Sequence, residues 1–194
     1  MSIVVVTERH GEACLAADSL QTYGHSKIPA RYLPSGEKII QVGETWIGSV
    51  GWCVSLCVLK SVLEGELELP TFRTAQELFE FSRVLHQKLK DDYYLQEGDH
   101  ASGWESSQLS LLFLNRHGLF GLSSNRTAEQ YRRFMAIGSG AEHALGAMYA
   151  ARALGASCEE MARLGVLAGA EFDQGCAQPI TVKRMKLDAP PVSE

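Results

Sequence analysis

Residues 2–19 read SIVVVTERHGEACLAADS. Ile3, Val4, Val5 and Val6 are apolar on successive positions, and Ala13–Ala17 repeat the habit after His10-Gly11. A strand with one wet face alternates, whereas a strand apolar on consecutive residues is covered on both sides. The stretch therefore predicts a hairpin, SIVVVT and ACLAA joined at ERHGE, inside a layered core. It also sets Ser2 directly before a rigid strand. If Met1 is removed, Ser2 presents a hydroxyl and a free α-amine on one residue. An α-amine titrates at about 8. It can accept the proton of a hydroxyl that is otherwise a weak nucleophile.

Working outward, residues 19–37 form a long polar connection with Gly24, Pro29, Pro34 and Gly36, a length at which loops tend to be functional. KIIQVG and ETWIGSVG predict a second hairpin turning at Gly43-Glu44. WCVSLCVLKSVLEG predicts a buried helix closing near Gly65. TAQELFEFSRVLHQKLKDDYY predicts an amphipathic helix. Thr74 and Glu77 are spaced as a capping box, and Leu78, Phe81, Leu85 and Leu89 form its stripe. Residues 96–107 read as a loop, and QLSLLFLNRHGLFGLSS as a strand pair turning at Asn115–Gly118. MAIGSG is a short strand leading into a helix that carries Ala144, Leu145, Met148, Ala151 and Leu154. A further helix is capped by Ser157 with Glu160, and PITVKRMKL is the last strand. Strands, a helix pair, strands, a helix pair and a strand follow one another without βαβ alternation, which disfavours a Rossmann or barrel fold. Two sheets with helix pairs outside satisfy the order. No linker divides the chain, so a single domain over residues 1–194 is expected.

The bulk composition excludes several classes. The chain has 194 residues, 45% of them hydrophobic and 21% charged, an ordinary globular balance. Its formal net charge of -5 gives no basic footprint for nucleic acid, and YRRF and VKRMK read as solvated surface or interface. No apolar run approaches the roughly 18 residues of a membrane span. The five cysteines are odd in number, four sit in apolar surroundings, and the start leaves no room for a secretory leader. Buried thiols in a reducing cytoplasm are expected. Cys53 and Cys57 share a helix face, but no His/Cys set completes a metal site. Neither a metal nor a cofactor is expected.

Other residues bear on Ser2. Asp18 ends the second strand, which returns beside the first. Lys38 opens the third strand. An ammonium close to Ser2 would disfavour protonation of a neighbouring amine, and Asp18 would hold that lysine. The alternative is a turn-capping aspartate and an exposed strand-end lysine. Gly51, between a strand and a helix, offers a backbone N–H to a developing oxyanion, or is simply a tight turn. The Gly-Ser-Gly at 138–140 lacks the GK[ST] of a phosphate loop. Its Ser139 can instead bond the terminal amine. Asp173 and Cys176 lie just before the last strand, with or without a chemical duty.

Together, SIVVVTERHGEACLAADS, EKIIQVG, WIGSVG, FMAIGSGAEHALGAMYAARAL and FDQGCAQPITV resemble the proteasome β-subunit family, and within it the bacterial HslV-like branch. The resemblance spans roughly residues 2–187. It implies an α+β fold, the four-layer αββα sandwich of the N-terminal nucleophile hydrolases. It carries the family's catalytic threonine onto Ser2, its aspartate onto Asp18 and its lysine onto Lys38. The oxyanion glycine falls on Gly51, the supporting serine on Ser139 and the later aspartate on Asp173. The family's second supporting serine falls on Cys176, a departure. The larger departure is serine for threonine, which loses the methyl that limits hydroxyl rotation and predicts slower turnover of the same reaction. The segment between Asp18 and Lys38 is also a few residues longer than in HslV. The resemblance further implies a cytoplasmic homo-oligomeric ring that encloses its sites, takes unfolded polypeptide and can be fed by an ATPase unfoldase. A silent ring component and a small-amide hydrolase of the same fold are the rival expectations.

Overall fold

The computed structural model describes residues 2–33, 37–65, 67–93 and 105–188. The opening stretch forms β1 (Ile3–Arg9) and β2 (Glu12–Asp18), antiparallel, with Val4 opposite Ala17 and Val6 opposite Leu15. They are the inner strands of a four-stranded sheet ordered β10-β1-β2-β11, whose outer members are β10 (Phe134–Gly138) and β11 (Ile180–Lys186). The second sheet runs β5-β6-β7-β8-β9, from β5 (Ile39–Val42) and β6 (Thr45–Val50) through β7 (Ser110–Asn115) and β8 (Gly118–Leu122) to β9 (Ala128–Tyr131).

The continuous apolar run in β1 is explained by what lies on each side. Val4 and Val6 pack with Leu15, Ile39, Leu112 and Leu114 between the two sheets. Ile3 and Val5 point the other way, into a cluster with Met148, Met161 and Val166 from helices α3 (Ala141–Ala153) and α4 (Cys158–Phe172). On the far side of the second sheet, Ile47, Leu111, Phe113 and Phe120 pack against Leu59, Leu78 and Leu85. Those leucines belong to α1 (Cys53–Gly65) and α2 (Ala75–Asp92). Phe72 sits edge-on to both Phe113 and Phe120, a favoured aromatic geometry. The layers are thus helices, sheet, sheet and helices, the αββα sandwich expected.

Several local expectations are refined. The 19–37 connection contains a small hairpin, β3 (Gln21–Tyr23) with β4 (Ser26–Ile28), and a short 3-10 turn over Ala30–Tyr32. Strand β9 escaped the sequence reading. The expected buried helix is corrected: Ser55, Leu59, Val62 and Leu63 of α1 are buried, while Trp52 and Val54 stand exposed. Only one face of α1 meets the second sheet, so its surplus apolar residues face out. The buried-thiol expectation fails for the same reason at Cys53 and Cys57, which are exposed, whereas Cys14, Cys158 and Cys176 are buried. Ser157 and Glu160 make a full capping box. Thr74 accepts from the Glu77 N–H, but the Glu77 carboxylate reaches back to Arg73 N instead of closing the box. Part of the expected 96–107 loop and most of the tail lie outside the described residues.

Candidate active site

Asp18 ends β2 almost wholly buried, and its carboxylate collects four donors. Oδ1 accepts from Ile3 N at 3.0 Å and Lys38 Nζ at 2.6 Å. Oδ2 accepts from Leu20 N at 3.1 Å and Ala177 N at 3.2 Å. Lys38 stands just before β5, where its carbonyl accepts the Ser49 N–H at 3.0 Å. The ion pair therefore bridges the two sheets, both side chains withdrawn from water. A buried pair needs such completion, because each oxygen left bare would cost the desolvation it suffered.

Ser2 precedes β1 and is 5% exposed. Its nitrogen donates to Ser139 Oγ at 3.2 Å, and Ser139 Oγ donates onward to Asp173 Oδ1 at 3.1 Å. Asp173 is held in turn, because its Oδ1 accepts the Gly175 N–H at 2.7 Å. It caps the C-terminus of α4, its own N–H bonded to Gly169 O. Gly138, paired with Ile3 across β1 and β10, has φ +102°, and a Cβ there would strike the Ser2 carbonyl. Only glycine lets the strand end approach the Ser2 backbone this closely.

Gly51 follows β6 with φ +119°, again a glycine conformation. The turn it makes carries the chain from the second sheet into α1, and Lys38 enters the same sheet at β5. Five of the six sequence-predicted residues thus form two bonded sets, Asp18 with Lys38 and Ser2 with Ser139 and Asp173. The Ile3 N–H on Asp18 joins the first set to the residue after Ser2.

Solved structures place the fold and the sequence in a family. Thiobacillus denitrificans BPH in complex with epoxomicin superposes with a TM-score of 0.90, at 36% sequence identity, over 96% of this chain and 100% of that one. A second structure of Thiobacillus denitrificans BPH gives 0.89 and 37%, over 96% and 98%. The chain belongs to the proteasome β-subunit and HslV-like family of N-terminal nucleophile hydrolases. The eukaryotic HslV from Trypanosoma brucei shares the fold at 16% identity and a TM-score of 0.67, over 95% and 99%. No protein-family model and no curated protein matches the sequence.

Within this proteasome-like chain, Cys176 sits beneath the site and is 2% exposed. Burial first, then the negative charges of Asp18 and Asp173, push its thiol up to about 12. It is a neutral small side chain there, and a weak hydrogen-bond partner where a serine would be a strong one. Ala177 is a site contributor that sequence reasoning missed. Only its backbone is used, the N–H on Asp18 and the carbonyl on the Ser19 N–H, and backbone groups leave no signature in residue type. A second serine-histidine-carboxylate array lies elsewhere: Ser107 Oγ is 2.9 Å from His86 Nδ1, and His86 Nε2 is 2.9 Å from Glu105 Oε2. Ser107 is 4% exposed, as buried as Ser2, and it has no α-amine beside its hydroxyl. The array ties residues 105–107 to α2.

Proposed function

We propose that the chain is an endopeptidase whose mature N-terminus is Ser2, with Met1 removed. The observation that carries the reading is the bonded chain from Ser2 N through Ser139 Oγ to Asp173 Oδ1. Once free, that nitrogen is an amine oriented by a hydroxyl that already accepts from it. The amine, directly or through water, takes the Ser2 hydroxyl proton. The oxygen attacks a peptide carbonyl, and the Gly51 N–H stabilises the oxyanion. Lys38, held by Asp18, supplies positive charge beside the activated pair. The amine then protonates the leaving peptide amine, and water hydrolyses the remaining ester.

Family membership and the epoxomicin complex of a relative at 36% identity support the peptidase reading over a silent ring component. Family membership also supports a homo-oligomeric ring in the cytoplasm, taking unfolded polypeptide, with an ATPase unfoldase as partner. Exposed apolar side chains at Trp52, Val54, Tyr149, Leu154 and Phe172 are surfaces that a neighbouring subunit would cover.

Intact mass and activity test the reading together. The mature protein is expected to lack Met1 and to gain the whole mass of epoxomicin on Ser2. Ser2→Ala is expected to abolish both the adduct and peptide cleavage. Retained Met1, an acetylated Ser2 or full activity in Ser2→Ala overturns it. Cleavage of small amides but not denatured protein would favour the small-amide hydrolase.

A further inference from the structure

Away from the hydroxyl-amine site, two buried thiols face each other between the first sheet and its helices. Cys14 lies in the middle of β2, paired with Thr7 on one side and Arg184 on the other. Cys158 is the first residue of α4, directly after the Ser157 cap. The two Sγ atoms are 3.3 Å apart and share a hydrogen bond. Both thiols are free. The α4 start is pinned to β1, because the Thr7 hydroxyl donates to Cys158 O at 2.7 Å.

The two sulfurs are not equivalent. Cys158 is pushed down, first by the hydrogen bond with Cys14 and further by the backbone at Glu159 and at Cys158 itself, against burial and the Glu12 charge, which push it up. Cys14 is pushed up by that bond and by burial. Cys158 is also the first residue of α4, where the helix dipole favours an anion even though Ser157 and Glu160 cap that end. Access is also unequal. A surface pocket of about 580 Å³ is lined by Cys158 together with Ser157, Arg9, His10, Glu12 and Lys186. Cys14 is not part of that lining and is 0% exposed, against 3% for Cys158.

We propose that Cys14 and Cys158 form a peroxide-reactive dithiol, Cys158 attacking and Cys14 resolving, that oxidises to a disulfide stapling β2 to α4. The substrate class is a small hydroperoxide entering by the pocket. The Cys158 thiolate attacks one peroxide oxygen and the O–O bond breaks. Cys158 becomes a sulfenic acid, and the departing oxygen takes a proton and leaves as alcohol or water. The Cys14 sulfur then displaces the sulfenic oxygen, which leaves as water with the Cys14 proton. Two thiols and one hydroperoxide give one disulfide, one alcohol or water, and one water. In a reducing compartment the pair rests as thiols. The staple has a bearing on the first site, because β2 ends in Asp18 and α4 ends at Asp173.

Hydrogen peroxide titration of the full-length protein, followed by alkylation and non-reducing peptide mapping, tests this. The expected product is a Cys14–Cys158 linked peptide, reversed by dithiothreitol. The crosslink spans 144 residues of sequence, so the unfolding midpoint of the oxidised protein is expected to rise by roughly 10 °C. In Cys14→Ala, Cys158 is expected to stop at a dimedone-reactive sulfenic acid. In Cys158→Ala, Cys14 is expected to remain a thiol. The exposed Cys53 and Cys57 serve as internal controls in the same sample. Oxidation of those two while Cys14 and Cys158 stay free thiols overturns the proposal. That result is read on the wild-type protein and does not depend on either variant folding.

Discussion

The Asp18–Lys38 pair offers the sharpest test of how the site is built. In Asp18→Asn the amide can turn its oxygen toward only one pair of donors. Oδ1 serves Ile3 N and Lys38 Nζ, and Oδ2 serves Leu20 N and Ala177 N. Either way, the amide nitrogen meets two groups that also donate. Breaking a buried ion pair costs about 3–5 kcal/mol, and a stranded buried donor costs about 1–3 kcal/mol. We therefore expect Asp18→Asn to lose about 4–6 kcal/mol of stability. Lys38→Met leaves Asp18 with its three backbone donors and is expected to lose about 2–3 kcal/mol. The double variant strands no ammonium, so its loss should fall at least about 2 kcal/mol short of the sum. Urea unfolding at fixed protein concentration measures all three. Should Asp18→Asn fail to fold, recovery in the double variant is the same result in another form. Losses that add to within about 0.5 kcal/mol would refute the reasoning, because they would mean the two charges do not depend on each other. Peptide hydrolysis should fall by about 100-fold or more in each single variant, since the proposed role of Lys38 needs both its charge and its placement.

Three further outcomes are expected. Ser2→Thr should match or exceed wild-type peptide hydrolysis, by about two- to tenfold, because the methyl restricts hydroxyl rotation; a large loss contradicts the reading of Ser2 as a less well aimed nucleophile. Ser139→Ala should lower kcat by about tenfold with little change in KM, since it removes the bridge between the Ser2 nitrogen and Asp173; an equal kcat shows that the bridge plays no part in turnover. Cys176 keeps its proton to about 12 in the folded chain against 9.0 for an ordinary thiol, so its contribution to stability is full below about pH 9 and declines as pH rises from 9 toward 12. The slope is at most about 1.4 kcal/mol per pH unit, urea midpoints in that window should flatten in Cys176→Ala, and an unchanged slope counts against it.

The legible parts of the sequence were those where chemistry repeats along the chain. The β1–β2 pair announced a layer on each side because neither strand alternates. The capped helices at Thr74 and Ser157 announced their starts. Strand β9 did not, because Ala-Glu-Gln-Tyr at the edge of the second sheet is half-exposed and polar, and its strand form is imposed by β8 next to it. The orientation of α1 was hidden too. An apolar helix records how much it could bury, and the sheet beside it decides how much it does. At the candidate site, residue types pointed to Asp18, Lys38 and Ser139. The backbone donors of Ile3, Leu20 and Ala177 are set by strand and turn geometry, which no side chain encodes.

A strand apolar on both faces raises a difficulty that the fold must solve. Register is ordinarily specified because a one-residue slip turns polar residues inward. In β1 a slip would exchange Ile3 and Val5 with Val4 and Val6, trading apolar for apolar, so hydrophobicity alone does not place Ser2. Shape does. On the sheet side Val4 seats over Gly48, where a Cβ would collide with its Cγ1. On the helix side Ile3 seats over Gly169, where a Cβ would fall 2.5 Å from its Cδ1. The two notches lie in different layers and receive adjacent residues, so a slipped strand would miss both. Close-packed interiors penalise such misfits by more than the transfer energy they involve, because voids and overlaps are both costly. The position of the candidate nucleophile is therefore set by two missing side chains in neighbouring layers, with β1 transmitting their alignment to the residue just before it.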